Sequence, residues 1–264
     1  MIITSRDNSL LRLARAVRDG KDNYLIFVEG LRLCEEALSS HLAIHAVIVS
    51  QELAQKDRAA ALLAELSKQC DRLGEVSESL LATVSYTKTP QGMIVLAERP
   101  ASGKAILEAN KDRIPLLVVL DGINNPVNVG AILRSAEAAG ATGVITTGNS
   151  SDPFSPKALR GAMGSAFRLP VWSGASFEEA LNWCADQKIR TVAADLSATK
   201  QHTEIDWKEP RALIVGAEST GLSPEQVRMV DEAVRIPMLG EVESLNVGVA
   251  AAIMLYEANR QRSS

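Results

Sequence analysis

Along residues 9–19 the apolar side chains fall at Leu10, Leu13, Ala14 and Val17, the spacing of a single helical face. Arg12, Arg15 and Arg18 point mostly away from that stripe, and Gly20 closes the helix. The pattern then shortens. YLIFVEG (24–30) is a β-like run, LRLCEEALSS is helical, and IHAVIVS (44–50) reads as a strand. DRAAALLAELSKQC (57–70) reads as a helix and GMIVLAE (92–98) as a strand. This alternation predicts a small α/β domain over residues 1–99. The polar stretch 100–114, with Pro and Gly near its start, is expected to be a linker. A second alternating series fills 115–264. Its strands are PLLVVLD (115–121), TGVITTG (142–148), IRTVAAD (189–195) and RALIVGAE (211–218), with helices over 128–139, 155–167 and 176–187. Short apolar strands alternating with helices predict a mostly parallel, helix-covered sheet.

Two helix entrances carry clear signals. Ser223-Pro224-Glu225-Gln226 offers a hydroxyl cap, a proline in the first turn and a Gln able to reach back. Near the C-terminus, Val247, Ala250, Ala251, Met254 and Leu255 form a stripe, yet Val249, Ala252 and Ile253 are apolar on the other side. A helix apolar nearly all round is buried on all sides, which at this position suggests a second subunit.

Composition narrows the classes. The 264 residues suit two domains, and 46% hydrophobic with 23% charged residues is ordinary for a globular protein. A formal net charge of -4 means that any nucleic-acid contact must rely on local positive charge. Aromatic residues are only 4%, which argues against a base-stacking platform of the single-strand type. Three cysteines without CxxC spacing point to a reducing compartment and no zinc site. The charged start lacks the apolar stretch of a signal peptide, and no run reaches the ~20 apolar residues of a membrane span, so a cytoplasmic protein is expected.

Three polar stretches interrupt this background, each expected at the carboxyl end of a strand, where open α/β sheets bind ligands. In DGINNPVNVGAILRSAEAAG (121–140), Asn128 and Arg134 lie six apart and do not share a helical face. The plain reading makes Asn128 a helix cap and Arg134 a surface residue. In VGAESTGLS (215–223), G-x-E-x-x-G differs from the dinucleotide fingerprint, because Leu222 and Ser223 intervene before the helix. In the third stretch, Glu243-Ser244-Leu245-Asn246 places a carboxylate, a hydroxyl and an amide at a helix entrance. His41, His45 and His202 lack the neighbours of a metal site, and no Walker loop or G-x-S-x-G occurs.

Together the three stretches closely resemble the SpoU (TrmH) family of RNA ribose 2'-O-methyltransferases, of the SPOUT superfamily. The carriers are NVGAILRSAEAAG, GAESTG and IPMLGEVESLNVGVAAAI, in that order. FVEGLRLCEEAL and SYTKTPQGMIVLAE extend the likeness into the N-terminal region, the family's substrate-binding domain. The resemblance implies a C-terminal α/β-knot domain with a trefoil knot, and a smaller N-terminal α/β domain resembling a ribosomal-protein RNA-binding fold. It also implies a homodimer binding S-adenosylmethionine and no metal. Asn128, Arg134, Glu218, Ser244 and Asn246 would line the reaction site. Gly216, Ile236 and Leu245, with Leu239 and Thr147 as additions, would hold the cofactor. Arg134 would be either the base toward the 2'-hydroxyl or a phosphate ligand, and a guanidinium resists deprotonation. Glu218 would serve the reaction site or fix the neighbouring subunit's Asn or Arg.

Arg12, Arg15, Arg18 and Lys21 form the best local basic patch for RNA, with Lys157, Arg160 and Arg168 as further candidates. The resemblance also implies ribosomal RNA over transfer RNA, since family members with almost no accessory domain tend to act on transfer RNA and this chain carries a separate N-terminal domain. The alternative from a different class is a non-catalytic RNA-binding ribosome assembly factor of the same fold. A nucleotide-dependent oxidoreductase lacks its glycine fingerprint.

Overall fold

The computed structural model describes residues 1–109 and 113–263, which form two compact units. The first comprises Met1–Pro100 together with Phe154–Arg168. Its elements in chain order are α1 (Ser9–Arg18), β1 (Leu25–Glu29), α2 (Leu31–Ser39), β2 (Ile44–Ser50), α3 (Gln51–Ala54), α4 (Asp57–Leu66), β3 (Leu73–Val76), α5 (Glu78–Ala82) and β4 (Met93–Glu98). The sheet order is β1-β4-β2-β3. β4 runs antiparallel to both neighbours, and β2 and β3 pair in parallel. Leu10, Leu11, Ala14 and Val17 of α1 pack with Leu25 and Phe27 of β1, Ile48 of β2, and Ile94 and Leu96 of β4. All of β1 is buried, and its first four residues, Leu25 to Val28, read as a continuous apolar run rather than an alternating one before it ends on Glu29.

The second unit comprises Ala101–Pro153 and Leu169–Ser264. It begins with α6 (Lys104–Glu108), β5 (Leu116–Leu120), α7 (Pro126–Ala138) and β6 (Gly143–Thr147). After the segment given to the first unit come β7 (Val171–Ala175), α10 (Phe177–Asp186), β8 (Arg190–Ala194), β9 (Lys200–Gln201), β10 (Arg211–Val215), α11 (Pro224–Met229), β11 (Glu232–Arg235) and α12 (Val247–Arg262). The seven strands lie in the order β7-β6-β5-β10-β8-β11-β9, and every recorded pairing among them is parallel. β5, β6 and β10 are wholly buried, as a sheet covered on both faces requires. Among the described residues no helix is long and apolar enough to cross a membrane.

The intervening segment Phe154–Arg168 holds α8 (Pro156–Ala162) and α9 (Ser165–Arg168), with α8 packed on β1 of the first unit. One helix was expected over 155–167. The chain instead turns left-handed at Met163 (φ 49°) and Gly164 (φ 92°), which ends α8. Residues 100–114, expected to be a linker, contain α6, and 110–112 lie outside the described residues. β3, β7, β9 and β11 were not foreseen. They are short, with polar or glycine positions such as LGEV and EAVR, and lack a full apolar run.

Candidate active site

The site lies in the second unit, at the carboxyl edge of its parallel sheet, where β5, β10, β8 and β11 are consecutive neighbours. The loop after β5 enters α7 through an Asn-Pro pair. Asn125 is the cap, its side chain accepting from the Val127 N–H at 3.0 Å, and Pro126 occupies the first turn. Asn128, expected to sit at the entrance as a possible cap, is therefore three positions past it, with its amide free for other work.

That amide joins two distant loops. Asn128 Nδ2 donates to Glu218 Oε1 at 2.9 Å, and Asn128 Oδ1 accepts from Asn246 Nδ2 at 3.2 Å. Asn128 is only 8% exposed, so satisfying both ends of the amide matters; a neutral bond such as that from Asn246 is worth about 0.5–1.5 kcal/mol net, and one to a carboxylate about 1.5–3 kcal/mol. The Asn125 N–H also donates to Glu218 Oε1, at 3.3 Å. Asn246 in turn caps α12, its Oδ1 accepting from Gly248 N at 2.9 Å. Burial alone would raise the Glu218 carboxyl. The hydrogen bonds from Asn128 and from the backbone N–H groups of Glu218, Asn125 and Asn124 outweigh it, and hold the group below its ordinary value. Glu218 therefore ties to Asn128 of its own chain.

The turn after β10 is closed tightly. Gly221 N–H donates to Ala217 O at 2.8 Å, and Gly221 takes φ +64°. A Cβ on Gly216 would fall 2.4 Å from the Gly221 carbonyl carbon and 2.5 Å from Leu222 N, so only glycine fits. At the foot of this turn α11 carries the expected capping box, and Gln226 Nε2 donates to Asp121 Oδ2 at 2.8 Å.

These loops enclose a cavity of about 390 Å³. Gly216, Glu218, Ile236, Ser244 and Leu245 all line it. So do Asp195 and Leu196 beyond β8, Met238, and Met254 from α12, none of which was named as a site residue from the sequence. Asp195 had a signal, as the polar residue ending an apolar strand. The walls mix apolar Val234, Ile236 and Leu245 with the acidic Asp195, Glu218 and Glu243, against one cation, Arg235.

Other expected residues fall elsewhere. Leu239 is fully exposed on the loop after β11 and does not line the cavity. Thr147 is buried at the end of β6, where its hydroxyl accepts from Gly122 N at 3.3 Å and braces the loop after β5. Arg134 is exposed on α7, off the cavity, and makes no hydrogen bond or ion pair among the described residues. α12 buries Gly248, Ala251, Met254, Leu255 and Ala258, partly against α7. It leaves Val249, Ile253 and Tyr256 exposed at 48%, 37% and 52%, so one chain covers only half of a helix expected to be buried all round.

In the first unit, Arg12 and Lys21 are exposed, and Arg15 donates to Arg6 O at 2.7 Å. Arg18 turns inward: its Nη1 reaches the carbonyls of Thr83, Val84 and Ser85 at 3.4, 3.1 and 3.4 Å. Arg160 and Lys157 are exposed on α8, while Arg168 donates to Glu36 Oε2 at 2.6 Å.

Known proteins resemble this chain over nearly its whole length. Residues 10–95 match the MRM3-like substrate binding domain. The 23S rRNA (uridine(2479)-2'-O)-methyltransferase of Streptomyces viridochromogenes is 33% identical over 204 residues, spanning 74% of this chain and 69% of that protein. The 23S rRNA (guanosine(2553)-2'-O)-methyltransferase RlmP of Bacillus subtilis is 31% identical over 229 residues, 87% of this chain and 86% of that one. The solved structure of AdoMet-bound rRNA methyltransferase from Sinorhizobium meliloti superposes with a TM-score of 0.83 at 30% identity, covering 98% of this chain and 97% of that chain. Residues 115–256, which contain every element of the cavity, match the SpoU rRNA Methylase family, and the chain belongs to that family.

Proposed function

We infer that this protein transfers a methyl group from S-adenosylmethionine to a ribose 2'-hydroxyl of ribosomal RNA. The observation that carries the reading is the hydrogen-bonded chain Glu218–Asn128–Asn246 set beside a cavity lined by Gly216, Glu218, Ile236, Ser244 and Leu245. The cavity suits the cofactor. Its volume falls in the range of small-molecule sites, its apolar walls match an adenine, and its excess of carboxylates suits a sulfonium cation. The bound cofactor supplies an electrophilic methyl carbon.

The protein's part is positioning. The backbone at Gly216 approaches the cofactor without a side chain, and Ile236 and Leu245 flank it. Asn128, held at both ends of its amide, keeps the loops after β5, β10 and β11 in register. Ser244 and Asn246 orient the nucleophile at the entrance of α12. Arg134 binds the substrate phosphate beside the hydroxyl and favours its ionisation electrostatically, since a guanidinium resists deprotonation and makes a poor base.

Arg134 stands off its own cavity, and the apolar face Val249–Ile253–Tyr256 is uncovered in one chain. Both features support a homodimer in which α12 packs on a partner and Arg134 serves the partner's site. The trefoil knot implied by the resemblance, the first unit's role in binding RNA, and a cytoplasmic location belong to the same reading.

Ribose-methylation mapping of ribosomal and transfer RNA, from cells with and without the gene, tests it. Loss of one ribosomal site, restored by the wild type and not by Asn128→Ala, is expected. An unchanged map with intact S-adenosylmethionine binding would favour the assembly-factor reading.

A further inference from the structure

Glu29, at the end of β1, is 5% exposed, yet it meets no cation among the described residues. Its carboxylate is satisfied entirely by one loop. Ser85 Oγ donates to Oε1, as does Thr87 Oγ1 at 2.8 Å, and the N–H groups of Tyr86 and Thr87 donate to Oε2 at 2.9 and 3.2 Å. Burying a carboxylate is costly unless its hydrogen bonds are complete, and a loop needs no such device merely to connect α5 to β4. Arg18 holds the start of the same segment through the carbonyls of residues 83–85. Gly92 ends it with φ +79°, where a Cβ would fall 2.6 Å from Leu53 Cδ2. The loop is thus fixed at its start, at its base and at its end.

What this rigid loop presents is an aromatic ring. Tyr86 is 43% exposed, although its own N–H is anchored on Glu29. Lys88 is exposed two residues on. Arg32 is exposed just past Gly30, where an added Cβ would lie 3.5 Å from Gln91 Cβ of the loop. A low aromatic content argues against a platform of several rings, but one ring on a preset backbone is a different device: it binds without ordering cost.

We propose that the loop Ser85–Gln91, locked by Glu29, is an RNA-docking element in which Tyr86 stacks on an unpaired base of the substrate while Lys88 and Arg32 meet the adjoining phosphates. The proposal rests on the reading of this chain as an RNA enzyme, and it makes Glu29 and Arg18 positioning residues. The ring reads a face that every base has, and duplex RNA hides that face, so the partner is a looped or bulged nucleotide rather than a helix.

The test uses the full-length protein with a short single-stranded oligouridylate bearing one 5-iodouridine, and with the same strand annealed to its complement. Irradiation is expected to cross-link the single strand to Tyr86. The duplex should bind more weakly and leave Tyr86 unlabelled. Tyr86→Ala should lower affinity for the single strand on the order of ten-fold, the size expected of one base–aromatic stack, while Tyr86→Phe retains it. S-adenosylmethionine binding should match the wild type in both variants, which shows that they are folded. Labelling elsewhere, or Tyr86→Ala binding as well as wild type, would overturn the proposal. Labelling at Tyr86 without methyl transfer to any ribosomal RNA would support the docking element and sink the methyltransferase reading.

Discussion

Asn128 and Glu218 are joined by a 2.9 Å hydrogen bond, although 90 positions separate them in the chain. The bond fixes the first turn of α7 to the turn after β10, and the other end of the same amide takes the entrance of α12. One side chain thus holds three loops.

Replacing Asn128 should therefore damage turnover more than the fold. Asn128→Ala removes the donor to Glu218 and the acceptor for Asn246, and single-turnover methyl transfer is expected to fall about a hundred-fold, as for loss of one aligned polar group in a site. Asn128→Asp should be worse, since it sets a second carboxylate against Glu218. A rate for Asn128→Asp within a few-fold of wild type would remove the amide from the mechanism.

The pH dependence follows from the same pair. Glu218 is held below its ordinary value, so its stabilising contribution is complete above the unfolded carboxylate pKa of roughly 4.3 and is lost as pH falls through the lower folded value. Cofactor binding should show no transition from this group near neutrality and should weaken in acid. In Glu218→Gln that acid limb should shrink. Titrations of both proteins across the acid range decide it, and identical limbs would exclude Glu218 as the source.

How much of this was legible in the sequence depends on length and on chemistry. The long apolar runs of β5 and β10 and the capping box at Ser223 were plain, because each is a local pattern with one physical solution. β11 was hidden, since the four residues EAVR carry no run and their pairing depends on β8 and β9. The start of α7 was misplaced by two residues, and the Asn125-Pro126 pair was the signal that could have set it. Asn128, Glu218, Ser244 and Asn246 were named from the sequence, and the bonds through Asn128 were not, because an amide's partners depend on loops brought together by the sheet order. Arg18 was read as a possible phosphate ligand. No helical pattern foretells that its guanidinium turns to the carbonyls of residues 83–85.

Gly216 offers a steric test. Gly216→Ala places a methyl group 2.4 Å from backbone carbon, where no flexible side chain can yield. The turn must shift, at a cost of about 1–3 kcal/mol, and S-adenosylmethionine affinity should drop at least on the order of ten-fold because the wall of the cavity moves. Calorimetric titration together with thermal unfolding would check both effects. A well-folded variant with wild-type affinity would place the cofactor away from this turn.

Arg18 and Arg12 should separate cleanly. Arg18→Ala removes the donor to three carbonyls and is expected to destabilise the first unit by roughly 1–2 kcal/mol. Arg12→Ala removes an exposed charge, so stability should hold while the salt dependence of RNA binding becomes shallower. Denaturant unfolding and binding titrations at several salt concentrations distinguish them. If Arg18→Ala unfolds like the wild type, the carbonyl contacts are incidental.

The last prediction concerns the uncovered face of α12. Val249, Ile253 and Tyr256 fall at helical spacing on one side, and Val127 at the start of α7 is also 44% exposed. Apolar side chains grouped in this way on the face of α12 opposite its buried Ala251, Met254 and Leu255 favour a partner of the same kind, through burial worth about 25 cal/mol per Å². Ile253→Glu should leave the isolated fold intact, because the position is open to solvent in one chain, and should convert a dimer into a monomer by light scattering. Since Val247, Ala250 and Met254 of the same helix line the cavity, the monomer is also expected to bind S-adenosylmethionine more weakly. A mass unchanged from wild type would mean that the α12 face is not the contact. A monomer with full affinity and full turnover would mean that the site is complete within one chain, and would withdraw Arg134 from its assigned place in the partner's site.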